Sequence, residues 1–250
     1  LYCEPNGDFP HNPEPLKKNL TELSKKVIEC NADLGIAVDP DVDRLVFVCE
    51  DGELFGEENT LVACADYVLS KTPGSTVSNL SSSRALNDIT KKHNQVHYYS
   101  AVGEVNVVDK MKKCKAVIGG EGNGGVIYPK SHYGRDSIVG IGLFLSLYVE
   151  RGLIASKLLE TYPKYFMVKE KINLSPSLDV DNILGQIAEK YKNENIDLVD
   201  GVRIDFKDSW VQLRKSNTEP IIRIYSEAKS NDKASELIKE IEILIKNIIS

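Results

Sequence analysis

The feature of this 250-residue sequence that most restricts its fold is an alternation of short β-type runs with amphipathic helical runs up to about residue 150. Such alternation is typical of βαβ units, in which helices cover a largely parallel sheet. The predicted strands are 34–38, 45–48, 75–80, 95–99 and 116–118, and the predicted helices are 16–29, 59–69, 84–93, 106–112 and 137–150.

The pattern changes after about Pro163, where short strands are grouped together with helices at either end. Grouped strands indicate an α+β domain. We therefore expect α/β domains with mixed or parallel sheets, followed by a smaller α+β C-terminal domain. In this part the predicted strands are 167–174, 196–199, 202–206, 210–213 and 221–226, and the predicted helices are 180–192 and 233–249.

Charge and cysteine usage exclude several classes of function. The formal net charge is −6, so no general attraction to nucleic acid or to an anionic membrane is expected. The longest apolar run, 138–149, is too short to span a bilayer. The five cysteines are widely spaced and form no C-x-x-C pair, which predicts free, buried thiols in the reducing cytosol.

Three aspartates recur at every second residue in ADLGIAVDPDVDRLVFV, namely Asp39, Asp41 and Asp43. An extended backbone would turn them to one side, and an all-oxygen set suits Mg²⁺ working with a bound phosphate. The alternative is an Asp-Pro-Asp turn whose side chains cap backbone amides. A calcium EF-hand, with Glu50 at its twelfth position, is disfavoured because Arg44 replaces the sixth-position glycine and strands flank the loop.

A glycine-rich segment, AVIGGEGNGGVIYP, contains the pattern G-x-G-x-x-G. A dinucleotide site would require a helix to begin within the glycines, but a β-type run ending in Pro129 follows them. We expect instead that the glycines let a ligand approach the backbone, and that Glu121 and Asn123 bind sugar hydroxyls. A glycine-rich hairpin without a ligand is the alternative.

A third polar segment, LRKSNTEPIIRIYSEA, connects two predicted strands. Hydroxyls, successive N–H groups and a guanidinium could together bind phosphate, and a plain polar turn is the alternative. The candidate phosphate-binding residues are Arg214, Ser216, Asn217 and Thr218. Arginine is scarce, with 7 residues against 24 lysines, and five of the seven fall in or beside these three segments, directly after the serine run 81–83, or just before the helix 137–150. These are Arg44, Arg84, Arg135, Arg214 and Arg223.

Two further predictions concern polar residues outside these segments. Asp136 is expected to cap the long helix 137–150 rather than to act in catalysis. His93 and His97 are expected at the surface, because lysines or a strand surround them.

The order of the motifs is more specific than any of them alone. DPDVDR, VGEVNVV, GGEGNGG and RKSNTEP, in that order, make the chain resemble the α-D-phosphohexomutase family over nearly its whole length. Members have four domains and move a phosphoryl group between the 1- and 6-positions of a hexose. The resemblance implies that residues 1–55 end the second domain, that 56–155 form the third, and that 163–250 form the fourth.

The resemblance also assigns roles to particular residues. It implies that Asp39, Asp41 and Asp43 bind Mg²⁺, with Arg44 beside them as a catalytic residue near the transferred phosphate. It implies that Glu121 and Asn123 contact the sugar. The non-reacting phosphate is assigned to Arg214, Ser216, Asn217 and Thr218.

The family's mechanism uses a phosphoserine of the first domain and a hexose 1,6-bisphosphate intermediate. The nucleophile lies in a loop like T-A-S-H-N-P, but here Pro10 stands where the serine must be, in FPHNP. This stretch better matches H-N-P-E-P of the second domain. We therefore expect that the first domain is absent from this chain, that it is a partner needed for turnover, and that the chain alone is inactive.

The substrate is less specified by the motifs. VGEVNVVDKM and GGEGNGG look closest to phosphoglucosamine mutases, so glucosamine 6-phosphate and 1-phosphate are the expected hexose phosphates. A phosphomannomutase/phosphoglucomutase is the alternative, although Asn123 and Gly125 depart from its usual serine and histidine. A non-catalytic sugar-phosphate-binding protein and a dinucleotide-dependent oxidoreductase are the alternatives from other classes. Oligomeric state is not predicted.

Overall fold

The chain folds into two compact units, Leu1–Pro163 and Lys164–Ser250. Each is built around its own sheet structure, which shows the α/β and α+β classes that the sequence predicted. None of the described helices is long and apolar enough to cross a membrane. The computed structural model describes residues 1–4, 6–173, 175, 178–216 and 221–249.

The first unit opens with a short 3-10 turn at Lys17–Asn19, where the sequence predicted one continuous helix from 16 to 29. Its other helices and strands follow the predicted alternation, except that the short helix Ala155–Leu159 was not predicted and Gly125–Ile127 was not among the predicted strands. They are α1 (Thr21–Glu29), β1 (Leu34–Val38), β2 (Leu45–Cys49), α2 (Glu57–Lys71), β3 (Thr76–Asn79), α3 (Ala85–Lys92), β4 (His97–Ser100), α4 (Glu104–Cys114), β5 (Ile118–Glu121), β6 (Gly125–Ile127), α5 (Ser137–Arg151) and α6 (Ala155–Leu159).

Two sheets organise this unit. Strands β1 and β2 form an antiparallel pair, and a second sheet has the order β4-β3-β5-β6. Its strands β4, β3 and β5 are parallel, as predicted, but β6 runs antiparallel to β5. The glycine-rich segment is therefore a hairpin between β5 and β6, and no helix begins within it. This arrangement confirms that the segment is not a dinucleotide fingerprint.

An aromatic cluster joins the β1–β2 pair to helix α5. Phe47 of β2 stacks on Phe144 of α5 at 3.8 Å between ring centroids, and Phe55 meets the same ring edge-on at 5.0 Å. All three side chains are fully buried. Burying a phenylalanine stabilises a fold by about 2–3 kcal/mol, so these rings hold the β1–β2 pair against the helix that follows the hairpin.

The ends of α5 are set by the residues that the sequence indicated. Asp136 accepts a hydrogen bond from the N–H of Val139 at 3.0 Å, and Gly152 ends the helix with φ +61°. Burial acts to raise the pKa of Asp136, but hydrogen bonds from His132 and from backbone amides outweigh it and lower that pKa. The predicted N-cap is thus confirmed.

Two surface predictions are wrong. His93 ends α3, and its Nε2 lies 2.7 Å from Oδ1 of the buried Asp66, while Nδ1 of His97 lies 2.7 Å from Oγ1 of Thr76. Both histidines are half-buried. The packing of α3 on α2 brings His93 to Asp66, and the lysine-rich local sequence does not show this contact.

The cysteines are free, as predicted, but only some are buried. Cys49 and Cys64 lie in the core, and burial raises the pKa of each to about 12. Cys3 and Cys30 are exposed. The prediction of uniformly buried thiols was wrong because these two lie outside the packed elements, before and after α1.

The second unit is an antiparallel sheet covered on one face by two helices. The strand order is β7-β11-β10-β9-β8. Alternate residues of the central strands, such as Val211 and Leu213, pack with the helices in one apolar core. Its elements are β7 (Phe166–Asn173), α7 (Val180–Lys190), β8 (Asn195–Asp197), β9 (Val202–Asp205), β10 (Ser209–Lys215), β11 (Ile221–Ala228) and α8 (Asn231–Ile249).

Candidate active site

The metal loop, residues 39–44, is a turn between β1 and β2 and not the extended segment that the sequence predicted. The N–H of Val42 donates to the carbonyl of Asp39 at 3.1 Å, and Val42 has φ +59°. Oδ1 of Asp39 accepts from the N–H groups of Asp43 and Arg44 at 3.0 and 2.9 Å. The capping turn that the sequence left open is therefore present, and Asp39 makes it.

The turn nevertheless brings the three carboxylates together. One oxygen each of Asp39, Asp41 and Asp43 lies within 4.8 Å of the others. Burial raises the pKa of Asp43 to about 6, and the neighbouring Asp39 and Asp41 add to this while Arg135 opposes it. Repulsion among three carboxylates at this spacing favours a bound cation.

The donor atoms of this cluster fit Mg²⁺. All are carboxylate oxygens, the ligand type that a small, hard cation prefers. Oδ1 of Asp43 is buried and has no hydrogen-bond partner among the described residues, which leaves it available to an ion. Asp41 is exposed and takes part in no hydrogen bond or ion pair among the described residues. Two of the three side chains thus present oxygens that accept no hydrogen bond from the loop, although Nε of Arg44 lies 3.9 Å from Oδ1 of Asp43.

Arg44 lies at the end of the metal loop and faces both loop and solvent. Its NH1 donates to Oε1 of Glu14 at 2.9 Å, and its Nε lies 3.5 Å from Oδ2 of Asp39. The side chain is 31% exposed. A partly exposed guanidinium beside a cation site can bind an anionic group that shares the cation.

The sugar loop, residues 121–125, directly contacts the start of β2, next to the metal loop. The N–H of Leu45 donates to the carbonyl of Gly124 at 3.1 Å. Gly124 has φ +89°, and a Cβ there would lie 2.3 Å from the carbonyl oxygen of Leu45. Only glycine allows this approach, so the β5–β6 hairpin and the start of β2 are held side by side.

Glu121 is a buried hydrogen-bond acceptor at the end of β5. Its Oε1 accepts from Nδ2 of Asn79 at 2.7 Å and from the N–H of Gly103 at 3.0 Å. Its Oε2 accepts from NH1 of Arg135 at 2.8 Å, and the side chain is 6% exposed. The carboxylate therefore organises its surroundings, and Oε2 has the remaining capacity to accept a bond.

Asn123 is the more accessible of the two predicted sugar-binding residues. Its Oδ1 accepts from the N–H of Gly125 at 3.1 Å, which shapes the tip of the hairpin. Its side-chain amide donates to none of the described residues, and the residue is half-buried. A donor is thus available at the edge of the loop.

Arg135 connects the metal loop with the sugar loop, a role that was not predicted for it. Its NH2 donates to Oδ2 of Asp43, while its NH1 donates to Oε2 of Glu121. Only its scarcity pointed to it, as one of five arginines in or beside the motifs. Asn79 was missed entirely, because an asparagine at a strand end has many ordinary uses.

The phosphate segment, residues 214–218, lies in the second unit and is described only in part. Arg214 is near the end of β10, directly opposite Arg223 of β11, and both point away from the helices. Nε of Arg214 lies 3.6 Å from Oδ1 of Asp200. The N–H of Ser216 donates to the carbonyl of Ile221 at 3.1 Å.

Of the four candidate phosphate-binding residues, Asn217 and Thr218 lie outside the described residues. Lys215 pairs with Asp181 at 2.9 Å while 50% exposed, so it is engaged at the surface. Arg214 and Arg223 are adjacent on one face of the sheet, and two such cations repel each other unless an anion lies near them.

Family comparisons match nearly the whole chain. Models of one family cover three successive segments, described as "Phosphoglucomutase/phosphomannomutase, alpha/beta/alpha domain II" for residues 1–52, domain III of the same description for 57–165, and the "C-terminal domain" for 170–244.

Individual relatives agree with these matches. A "Phosphoglucomutase/phosphomannomutase" of Thermococcus kodakarensis is 38% identical over 96% of this chain and 53% of its own length. A "Probable phosphoglucosamine mutase" of Methanopyrus kandleri is 35% identical over 100% of this chain and 56% of its own length. The chain thus spans about half the length of the curated relatives that it matches.

A solved structure shows the same fold. The phosphoglucomutase/phosphomannomutase family protein of Burkholderia thailandensis superposes with a TM-score of 0.82 at 25% identity. The superposition covers 95% of this chain and 52% of that one.

Proposed function

The chain belongs to the phosphoglucomutase/phosphomannomutase family, and we propose that it is the metal-, sugar- and phosphate-binding part of a phosphohexomutase. The reaction is the interconversion of a hexose 6-phosphate and its 1-phosphate through a phosphoserine and a hexose 1,6-bisphosphate. Glucosamine phosphates are the proposed substrates. Glucose and mannose phosphates are the alternative, which the name of the Thermococcus kodakarensis relative supports.

One observation carries this proposal: the metal loop and the sugar loop meet. Asp39, Asp41 and Asp43 converge within 4.8 Å, and Arg135 bonds both Asp43 and Glu121. A phosphoryl transfer on a sugar needs a cation beside a sugar-binding group, because charge on the phosphoryl oxygens must be neutralised while the hexose is oriented.

Each group has a proposed part in binding. Bound Mg²⁺, held by the three aspartates, would neutralise negative charge on the transferred phosphoryl group. Arg44 binds an oxygen of the same group. Glu121 and Asn123 accept from and donate to sugar hydroxyls, and the phosphate at the other end of the substrate binds Arg214, Ser216, Asn217 and Thr218.

The proposed domain division follows the same assignment. Residues 1–55 end the second domain, 56–155 form the third and 163–250 form the fourth. The ranges of the three family models, which meet near residues 52–57 and 165–170, support this division. We also propose a cytoplasmic location, which the five free cysteines support.

The metal site is tested by replacing one aspartate. Asp41→Asn is expected to weaken Mg²⁺ binding by about tenfold, because it removes one of few charged ligands. Asp41 is the best choice because its side chain has no bond within the loop, whereas Asp39 caps two amides. The measurement is calorimetric titration of the chain with MgCl₂ at pH 8, above the pKa of Asp43.

A matched control uses Asp109→Asn, an exposed aspartate on α4 of the same unit. It removes an equal charge at another place and is expected to leave the titration unchanged. If Asn variants of all three loop aspartates titrate like the unsubstituted chain, the metal assignment is wrong.

The phosphate segment is tested in the same chain with glucosamine 6-phosphate. Arg214→Ala is expected to weaken its binding about tenfold or more, since a hydrogen bond to a charged group contributes about 1.5–3 kcal/mol. Lys215→Ala removes the adjacent cation, which is already paired with Asp181 at the surface, and should change the affinity less than twofold. Equal losses for both variants would show a general charge effect in place of a specific contact.

A further inference from the structure

Arg135 makes two charged hydrogen bonds to different loops with one guanidinium. NH2 donates to Oδ2 of Asp43, and NH1 donates at 2.8 Å to Oε2 of Glu121. All three side chains are at least four-fifths buried, with exposures of 15%, 16% and 6%. In such a setting charge-assisted bonds are strong and their geometry is restricted.

Neighbouring groups place the stem of Arg135 between the two loops, so that its guanidinium can reach both. The backbone N–H of Arg135 donates to Oε1 of Glu104 at 2.9 Å, and its Nε lies 3.5 Å from Oε2 of the same residue. Asp136, the next residue, caps α5. A Cβ on Gly125 would lie 2.4 Å from Cδ of Arg135, so the absence of a side chain there provides the space for the arginine stem.

The carboxylates of Asp43 and Glu121 can each accept a further ligand or hydrogen bond in addition to the bond from Arg135. Oδ1 of Asp43 is buried without a hydrogen-bond partner among the described residues, while Oδ2 is bound by Arg135. At Glu121, Asn79 and Gly103 occupy Oε1, whereas Oε2 receives Arg135 alone. Each carboxylate can therefore bind a further group without releasing the arginine.

We propose that Arg135 is a positioning residue that couples the two loops, so that Mg²⁺ and the sugar phosphate bind this chain cooperatively. This inference rests on the proposed function of the two loops. A cation on Asp43 orders that carboxylate, which orders the guanidinium and with it Oε2 of Glu121. The sugar phosphate then binds a group that is already ordered, and by linkage it must strengthen cation binding by the same factor.

Two substitutions distinguish whether Arg135 acts through its charge alone or through the directions of its two hydrogen bonds. Lysine keeps the positive charge but has a single ammonium in place of a planar fork, so it cannot reproduce two bonds in the arginine's directions. Arg135→Lys should therefore abolish the coupling while retaining the charge. Gly125→Ala should act similarly, because its Cβ displaces the arginine stem while every charge is kept.

The experiment is calorimetric titration of the 250-residue chain with MgCl₂, with and without saturating glucosamine 6-phosphate. In the unsubstituted chain, the sugar phosphate is expected to tighten Mg²⁺ binding about fivefold or more. In Arg135→Lys and in Gly125→Ala the ratio should fall to within twofold of one. Arg151→Lys, which changes an arginine paired with Asp66 elsewhere in the unit, should keep the full ratio.

The outcomes separate this inference from the proposed function. Mg²⁺ binding without coupling in the unsubstituted chain would overturn the role of Arg135 and leave the metal site standing. Undiminished coupling in Arg135→Lys and Gly125→Ala would overturn it as well. No Mg²⁺ binding at all would overturn both proposals. Circular dichroism melting of each variant confirms that its fold is intact, and either variant alone suffices if the other does not fold.

Discussion

The 250-residue chain alone is expected to show no measurable interconversion of glucosamine 6-phosphate and glucosamine 1-phosphate. The proposed mechanism needs an activated serine that carries the exchangeable phosphoryl group. In the stretch that resembles the nucleophile loop, Pro10 takes the place of that serine. Ser137 does contact the metal loop, since its N–H donates to the carbonyl of Val42 at 3.0 Å. Its side chain is only 1% exposed, however, and cannot meet a substrate.

The measurement is ³¹P NMR of glucosamine 6-phosphate incubated with the chain, Mg²⁺ and catalytic hexose 1,6-bisphosphate. The full-length Thermococcus kodakarensis relative, assayed with glucose 1-phosphate, checks that the metal and bisphosphate are active. Binding of the sugar phosphate to the chain, measured separately, distinguishes an inactive protein from an unfolded one. Turnover by the purified chain would show that a serine outside these residues is not required.

Replacing Glu121 with alanine is expected to lower kcat/KM of a full-length mutase carrying these 250 residues by about 30- to 1000-fold. This corresponds to a loss of about 2–4 kcal/mol in transition-state stabilisation. The variant removes a proposed sugar contact and also leaves Asn79 and Arg135 without a common buried acceptor. Groups left unpaired in a buried site account for much of such a loss. Asn123→Ala should cost less, about 1–2 kcal/mol, because its bonds are neutral.

The assay compares glucosamine, glucose and mannose phosphates for each variant. Glu150→Ala, an exposed glutamate on α5 paired with Lys71, is the matched control and should retain full activity. Circular dichroism melting checks that the fold of each variant is intact. Near-unchanged kcat/KM for Glu121→Ala on all three substrates would show that the sugar loop has only a structural role.

Much of the fold could be predicted from local patterns, and the exceptions have identifiable causes. The long helix α5 was predicted within one residue because an N-cap and a glycine C-cap lie at its ends. Strand β6 was indicated only as a β-type run before Pro129 and not as a bounded strand, since three residues are too few for a recognisable alternation. The aspartates converge as expected, but through a turn that Asp39 stabilises rather than along an extended strand.

The sequence by itself determined the candidate chemistry. Motif order indicated the family, and residue types indicated a carboxylate cation site, a sugar loop and a phosphate segment. These inferences depend on residues close together in the chain, where spacing and backbone period constrain which side chains can act together.

Only the tertiary structure decided how the loops are joined. Arg135 lies 92 residues from Asp43 and 14 from Glu121, and no periodicity relates such separations. Their meeting depends on the packing of β2 against α5, through Phe47 and Phe144, and on the close approach of Gly124 to Leu45. Contacts of this kind arise from the burial of apolar surface, which is non-directional. The local sequence therefore does not show which polar groups the burial brings together.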